Sequence, residues 1–122
     1  MNVTVGADRE QGMKVVESVY RGGITREQLA EFDVLPLTAG EETVGMVMLR
    51  GPEVHVAILP LWRRRWLTRG LFEAFLGGLE EKYGYALTSC FDDEPEKIDF
   101  ITRLGFRQIH AEDGMLFFER AS

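Results

Sequence analysis

Hydrophobic and polar positions along this chain follow two periods, one close to two residues and one close to four. "NVTVGA" alternates and is β-branched, so Asn2–Gly6 is predicted as a short strand. Asp8 is placed to cap a helix from Arg9 to Tyr20, with Met13, Val16 and Tyr20 at helical spacing and Gly22-Gly23 ending it. Thr25 and Gln28 have capping-box spacing, which predicts a second helix of about two turns over Arg26–Phe32. The texture changes at Asp33. "VLPLT", "ETVGMVMLRG" and "EVHVAILP" are three strand-like runs, separated by Ala39-Gly40 and Gly51-Pro52. A helical stripe of Leu67, Leu71, Phe75 and Leu79 predicts a long helix from about Arg64 to the "KYGY" break. "ALTSC" reads as a further buried strand, with Tyr83 and Tyr85 packing at the corner before it. Pro95 opens a helix carrying Ile98, Ile101 and Leu104, and Gly105 stops it. "FRQIH" and "MLFFER" are predicted to form a hairpin around "AEDG".

The order is therefore β α α β β β α β α β β. This is an α+β pattern with a mixed central sheet, in which one helix crosses between two parallel strands. With 122 residues, the chain is predicted to form one domain spanning 1–122. Apolar residues make up 45% and charged residues 28%, which places it among folded rather than disordered chains.

The net charge of −6 disfavours generic nucleic-acid binding and makes any basic cluster a local feature. No apolar run approaches the ~20 residues of a membrane span, and Met1–Val5 leads into Asp8, Arg9 and Glu10 rather than a signal peptide. The lone Cys90 forms no internal disulfide, and no Cys/His cluster has metal spacing. A reducing cytoplasmic setting without a metal is expected.

One basic cluster changes the picture. In "PLWRRRWLTRGL", Arg63, Arg64, Arg65 and Arg69 gather where a strand hands over to a helix. A helix N-terminus offers unpaired N–H groups and the positive end of a dipole, so the cluster suits a pyrophosphate. The alternative is that the arginines merely solvate a turn. On "EVHVAIL", alternation sends Val54, Val56 and Ile58 to one face and Glu53, His55, Ala57 and Leu59 to the other. His55 titrates in a useful range and Glu53 is its same-side neighbour, so the two are candidates for accepting a proton. A hydrogen-bonded sheet histidine beside an exposed hairpin glutamate is the competing reading. Cys90, at a strand end beside Ser89, reads as a packed small hydrophobe, and His110 shows no partner in sequence.

The element order, "EVHVAILP", "RRRWLTRG" and "IDFITRLGF" together resemble the GNAT-fold N-acetyltransferases over roughly Val34 to Glu119. In that family a bulged fourth strand parts from the fifth and acetyl-coenzyme A lies in the opening, its pyrophosphate wrapped by an R-x-x-G-x-G/A turn. The resemblance implies acetyl-CoA or CoA as cofactor, held by Leu59, Leu61, Arg63, Arg64, Arg65, Trp66, Leu67, Thr68 and Arg69. Backbone groups of residues 59 to 61 would take the pantetheine arm and thioester carbonyl. It also implies Glu53 and His55 as catalytic residues acting on an amine acceptor, by direct attack. Trp66 and Thr68 replace the usual glycines; Trp66 either walls the site or caps the core. Along the second marker, N-x-x-A-I-x-F-Y-x-K-L-G-F, Glu94 replaces the asparagine and Ile101 the tyrosine that often protonates the departing thiolate. "LPLWRRRWLTRGL" is most similar to small GNAT proteins of bacteriophages, which implies a host-cell cytoplasmic setting.

Three functions compete. The first is an acetyl-CoA-dependent N-acetyltransferase with a small-molecule or protein acceptor. The second, motivated by the replaced motif residues, is a non-catalytic GNAT-fold module binding CoA, a host protein or both. Nucleic-acid binding through the arginines and tryptophans is third. "MLFFER" either buries its aromatics internally or pairs across a homodimer.

Overall fold

The computed structural model describes residues 3–20, 26–59 and 69–121. Its elements are β1 (Val3–Val5), α1 (Arg9–Tyr20), α2 (Arg26–Leu29), β2 (Asp33–Ala39), β3 (Glu42–Arg50), β4 (Glu53–Ile58), α3 (Arg69–Tyr83), β5 (Tyr85–Phe91), α4 (Pro95–Arg103), β6 (Arg107–Glu112) and β7 (Met115–Ala121). The predicted order is reproduced. Asn2, the Gly22-Gly23 stop, the Thr25 cap, Pro60, the expected helix start near Arg64 and Leu67 lie outside the described residues.

Seven strands form one sheet in the order β1-β2-β3-β4-β5-β7-β6. Every neighbouring pair is antiparallel except β4 and β5, which are parallel. The sheet separates two apolar layers. On one face Met13, Val15 and Val16 of α1 and Leu29 of α2 pack on Val34, Met46, Met48 and Ala57. On the other, Leu76 and Leu79 of α3 and Ile101 of α4 pack on Val47, Val54, Ile58 and Ala86. The alternation read from "EVHVAIL" thus divides β4 between the two layers. Buried Glu80 of α3 meets Arg120 Nε of β7 at 3.3 Å, which ties that helix to the far half of the sheet.

The caps explain the helix limits. Glu10 N–H donates to Asp8 Oδ1 at 3.0 Å, as the predicted cap requires. Helix α2 is shorter than predicted. The Arg9 guanidinium donates to the carbonyls of Leu29 at 2.9 Å and Phe32 at 2.6 Å, occupying acceptors at the end of the turn, and β2 begins at Asp33. In α4, Pro95 sits at the first turn and Gly105 follows with φ +92°, the left-handed conformation expected of a stop.

Other boundaries move for local reasons. The last hairpin closes on Asp113 and Gly114 alone, both with positive φ (50° and 79°), so Ala111 and Glu112 belong to β6 rather than to the turn. Tyr83 and Tyr85 were expected to pack; each is 38% exposed. Within "MLFFER", Phe118 is buried in the core of this chain.

The irregularity in the central strands falls in β3. Pairing runs Leu37↔Gly45 and then Thr38↔Thr43, leaving Val44 as an extra residue, whereas β4 pairs with β3 in continuous register from Ile58 to Glu53. The bulged fourth strand implied by the family resemblance is thus a bulged third strand among the described residues. Its neighbour Gly45 lies so close to β4 that an added Cβ would meet the Ala57 carbonyl oxygen and Ile58 Cδ1, each at 2.6 Å.

Gly45→Ala is therefore expected to cost about 2 kcal/mol of unfolding free energy through overpacking. Gly77→Ala, on the exposed side of α3 with nothing within 4 Å, should be neutral or stabilising by up to about 1 kcal/mol. Urea unfolding of both variants checks the difference; equal effects would contradict the β3–β4 contact.

Candidate active site

The site begins with a backbone pattern. Leu59 N–H donates to Val44 O at 2.9 Å, while Leu87 N–H donates to Pro52 O at 2.8 Å. Backbone groups alternate sides along a strand, so odd-numbered residues of β4 turn theirs toward β3 and even-numbered residues toward β5. The ladder between β4 and β5 has a single registered pair, Glu53↔Leu87. It does not continue to Val56, whose N–H and C=O face the gap between the diverging strands. β4 stays with β3 because the Val44 carbonyl extends the pairing to Leu59. β5 stays with β7, to which it is registered along its whole length.

The divergence adjoins a small cleft that is open to solvent. Val54 and Val56 line one wall, Thr88 and Ser89 the other, and Lys97 and Ile101 of α4 also contribute. Lys97 is the single permanent cation among the described lining residues, 3.9 Å from Glu94 Oε1. Ile101 is 5% exposed and belongs to the core, so the position of the family tyrosine presents hydrocarbon. Glu94, in the asparagine place, accepts the Phe91 N–H at 3.0 Å through its other oxygen.

Glu53 and His55 meet as the alternation predicted. His55 Nε2 lies 2.5 Å from Glu53 Oε2, on a half-buried pair. With Nε2–H donating to the carboxylate, Nδ1 carries the lone pair and is the atom able to take a proton. The other Glu53 oxygen accepts from Arg50 Nε at 3.1 Å and Nη2 at 2.7 Å. Arg50 Nη1 reaches Glu31 Oε2 at 3.1 Å, and its guanidinium lies 4.5 Å over the Phe32 ring, whose edge meets His55 at 6.0 Å between centroids. The His55 hydrogen bond holds the Glu53 carboxyl below the usual range against the opposing effect of burial, and Arg50 adds to the lowering. Glu53 and, less strongly, Glu31 raise Arg50.

Sequence reasoning missed Arg50, Glu31, Phe32 and Lys97. Arg50 was discoverable: it flanks the Gly51-Pro52 turn opposite Glu53, as their register shows. Glu31 and Phe32 are brought in from 18 or more positions away, and α4 alone does not reveal that Lys97 faces a cleft.

The expected cofactor residues divide three ways. Leu61, Arg63, Arg64, Arg65, Trp66, Leu67 and Thr68 lie outside the described residues, while Arg69 is the first residue of α3. Leu59 is described, and its N–H is directed to Val44 rather than to the cleft. The Cys90 thiol is buried, and desolvation pushes its pKa up, with Glu94 adding to the shift and Lys97 opposing it. This suits packing rather than nucleophilic attack. His110, without a partner in sequence, lies 3.3 Å from Glu112 Oε2 and beside the Phe117 ring on the exposed strand β6.

The mixed sheet, whose parallel pair opens beside a cleft and whose two faces are covered by helices, defines a single α/β fold class. The fold is that of the GNAT acetyltransferases. A Bacillus subtilis acetyltransferase in complex with CoA is similar over 99% of this chain and 98% of its own, with a TM-score of 0.74 at 12% identity. A GNAT family acetyltransferase from Elizabethkingia anophelis with acetyl-CoA bound matches over 99% of both chains, with a TM-score of 0.76 at 11% identity. The Escherichia coli ribosomal-protein-S18-alanine N-acetyltransferase matches over 98% of this chain and 93% of its own, with a TM-score of 0.72 at 14% identity. No protein-family model and no curated protein sequence matches. Among the described residues no helix is long and apolar enough to cross a membrane.

The lowered Glu53 pKa has a consequence for stability. A depressed folded-state value means stabilisation that is present above the unfolded carboxylate range and lost as pH falls through the folded value. In acid unfolding followed by circular dichroism, Glu53→Gln should therefore flatten the loss of stability below about pH 4. Equally steep acid limbs for Glu53→Gln and the unsubstituted protein would contradict the network.

Proposed function

We propose that residues 1–122 form one acetyl-CoA-dependent N-acetyltransferase domain acting on an amine by direct attack. The observation that carries this reading is the opening of β4 from β5 beyond Glu53↔Leu87, with the Val56 backbone groups facing the gap. A pantetheine arm has amides of its own and can continue the interrupted ladder along that edge, while the apolar lining receives its methylene groups. Arg63, Arg64, Arg65 and Arg69 would hold the pyrophosphate together with backbone groups of Leu61, Trp66, Leu67 and Thr68, which precede α3 in sequence. Acetyl-CoA supplies the activated thioester. His55 Nδ1, oriented by Glu53, takes the proton of the attacking amine, and donors on the cleft edge stabilise the developing oxyanion.

Ile101 favours a second reading. Hydrocarbon in place of a phenol on the α4 side of the cleft suits a module that retains CoA, or a host protein in a bacteriophage setting, without efficient turnover.

Calorimetric titration with CoA and acetyl-CoA should show binding in the micromolar to millimolar range, weakened about tenfold or more when Arg63 and Arg65 are both replaced by Ala. No heat at millimolar ligand would overturn the proposal. Amine-dependent thiol release, reduced about 100-fold in His55→Ala, separates the enzyme from the module; a panel of amines without release would favour the module.

A further inference from the structure

The acyl-transfer reading leaves one charge unaccounted for. Attack by the amine forms the C–N bond and breaks the C–S bond, leaving an electron pair on sulfur. The amine proton goes to the Glu53–His55 pair. The thiolate then needs a proton or a neighbouring positive charge, because an anion leaving into an apolar cleft is strongly disfavoured. Ile101 supplies neither. Thr88 and Ser89 offer hydroxyls, but no charge.

Resting on that reading, we propose that Lys97 is the group that stabilises the leaving thiolate. Lys97 lines the cleft from α4, one turn before Ile101, in company with Val54, Val56, Thr88 and Ser89, and its side chain remains 39% exposed. A cation at the rim of an apolar cleft acts on an anion developing within it more strongly than one in bulk water. Its described counter-ion is held loosely. Glu94 Oε1 is 3.9 Å away, at the limit of an ion pair, and the other oxygen of that carboxylate is engaged by the Phe91 N–H. Lys97 therefore keeps charge available to the cleft. The remaining titratable groups near it are the Cys90 thiol at the end of β5, which senses Lys97, and His55 on β4. The thiolate takes its final proton from water.

The decisive measurement is the ionisation of bound CoA, read from thiolate ultraviolet absorbance as pH is raised. In the unsubstituted protein the bound thiol should ionise about one pH unit below free CoA. Lys97→Met should abolish that shift while CoA affinity stays within about threefold, and Lys97→Arg should retain most of it. With acetyl-CoA, Lys97→Met should lower kcat about 10- to 100-fold with little change in KM. An unchanged thiol titration in a Lys97→Met protein that still binds CoA would overturn the assignment. A large loss of CoA affinity with the thiol shift intact would instead make Lys97 a phosphate anchor, and also overturn it. Absence of CoA binding by the unsubstituted protein would sink the underlying acyl-transfer reading, a result distinct from either.

Discussion

The parting of β4 from β5 after one registered pair is the constraint on which the site depends. Backbone groups along an opened edge lose their strand partners, so a sheet parts only where each strand is held firmly along its other edge. Here β4 belongs to an antiparallel half built from β1 to β4, and β5 to a second half with β7 and β6. Leu59 continues the unbroken β3–β4 register by pairing with Val44, while β5 is registered with β7 from Tyr85 to Phe91. Helix α3 places Leu76 and Leu79 in the layer that Val54 of β4 and Ala86 of β5 share, and is pinned to β7 through Glu80 and Arg120.

Much of this was legible in the sequence because it rests on periodicity. Two-residue alternation along "EVHVAIL" assigned both faces of β4 and put Glu53 beside His55. Pro95 and Gly105 marked both ends of α4. What escaped were features created by pairing. No local signal distinguishes Val44, with its fully buried apolar side chain, from an ordinary strand residue; the bulge appears only against β2. The truncation of α2 depends on Arg9, some 20 positions earlier in the chain. Turn chemistry was read correctly in kind at "AEDG", but its length was set by the positive φ of Asp113 and Gly114.

The polar network around His55 shows how a small sheet can hold a titratable pair in fixed geometry. Arg50 presents a planar fork to one Glu53 oxygen, leaving the other for His55, and is itself braced by Glu31 and the face of Phe32. Exposed ion pairs of this kind add little to folding individually. Their value here is directional, since the carboxylate is fixed at both oxygens and cannot swing away from the imidazole. The loop after α2 thereby becomes mechanically linked to the middle of the sheet.

Strand β4 is also a partition. His55 shares its face with Ala57 and the α1/α2 layer, whereas Val54 and Val56 face the α3/α4 layer and the cleft. His55 nevertheless also lines the cleft, so the pair it forms with Glu53 sits where the two layers meet across the strand, and one titratable side chain is open to both.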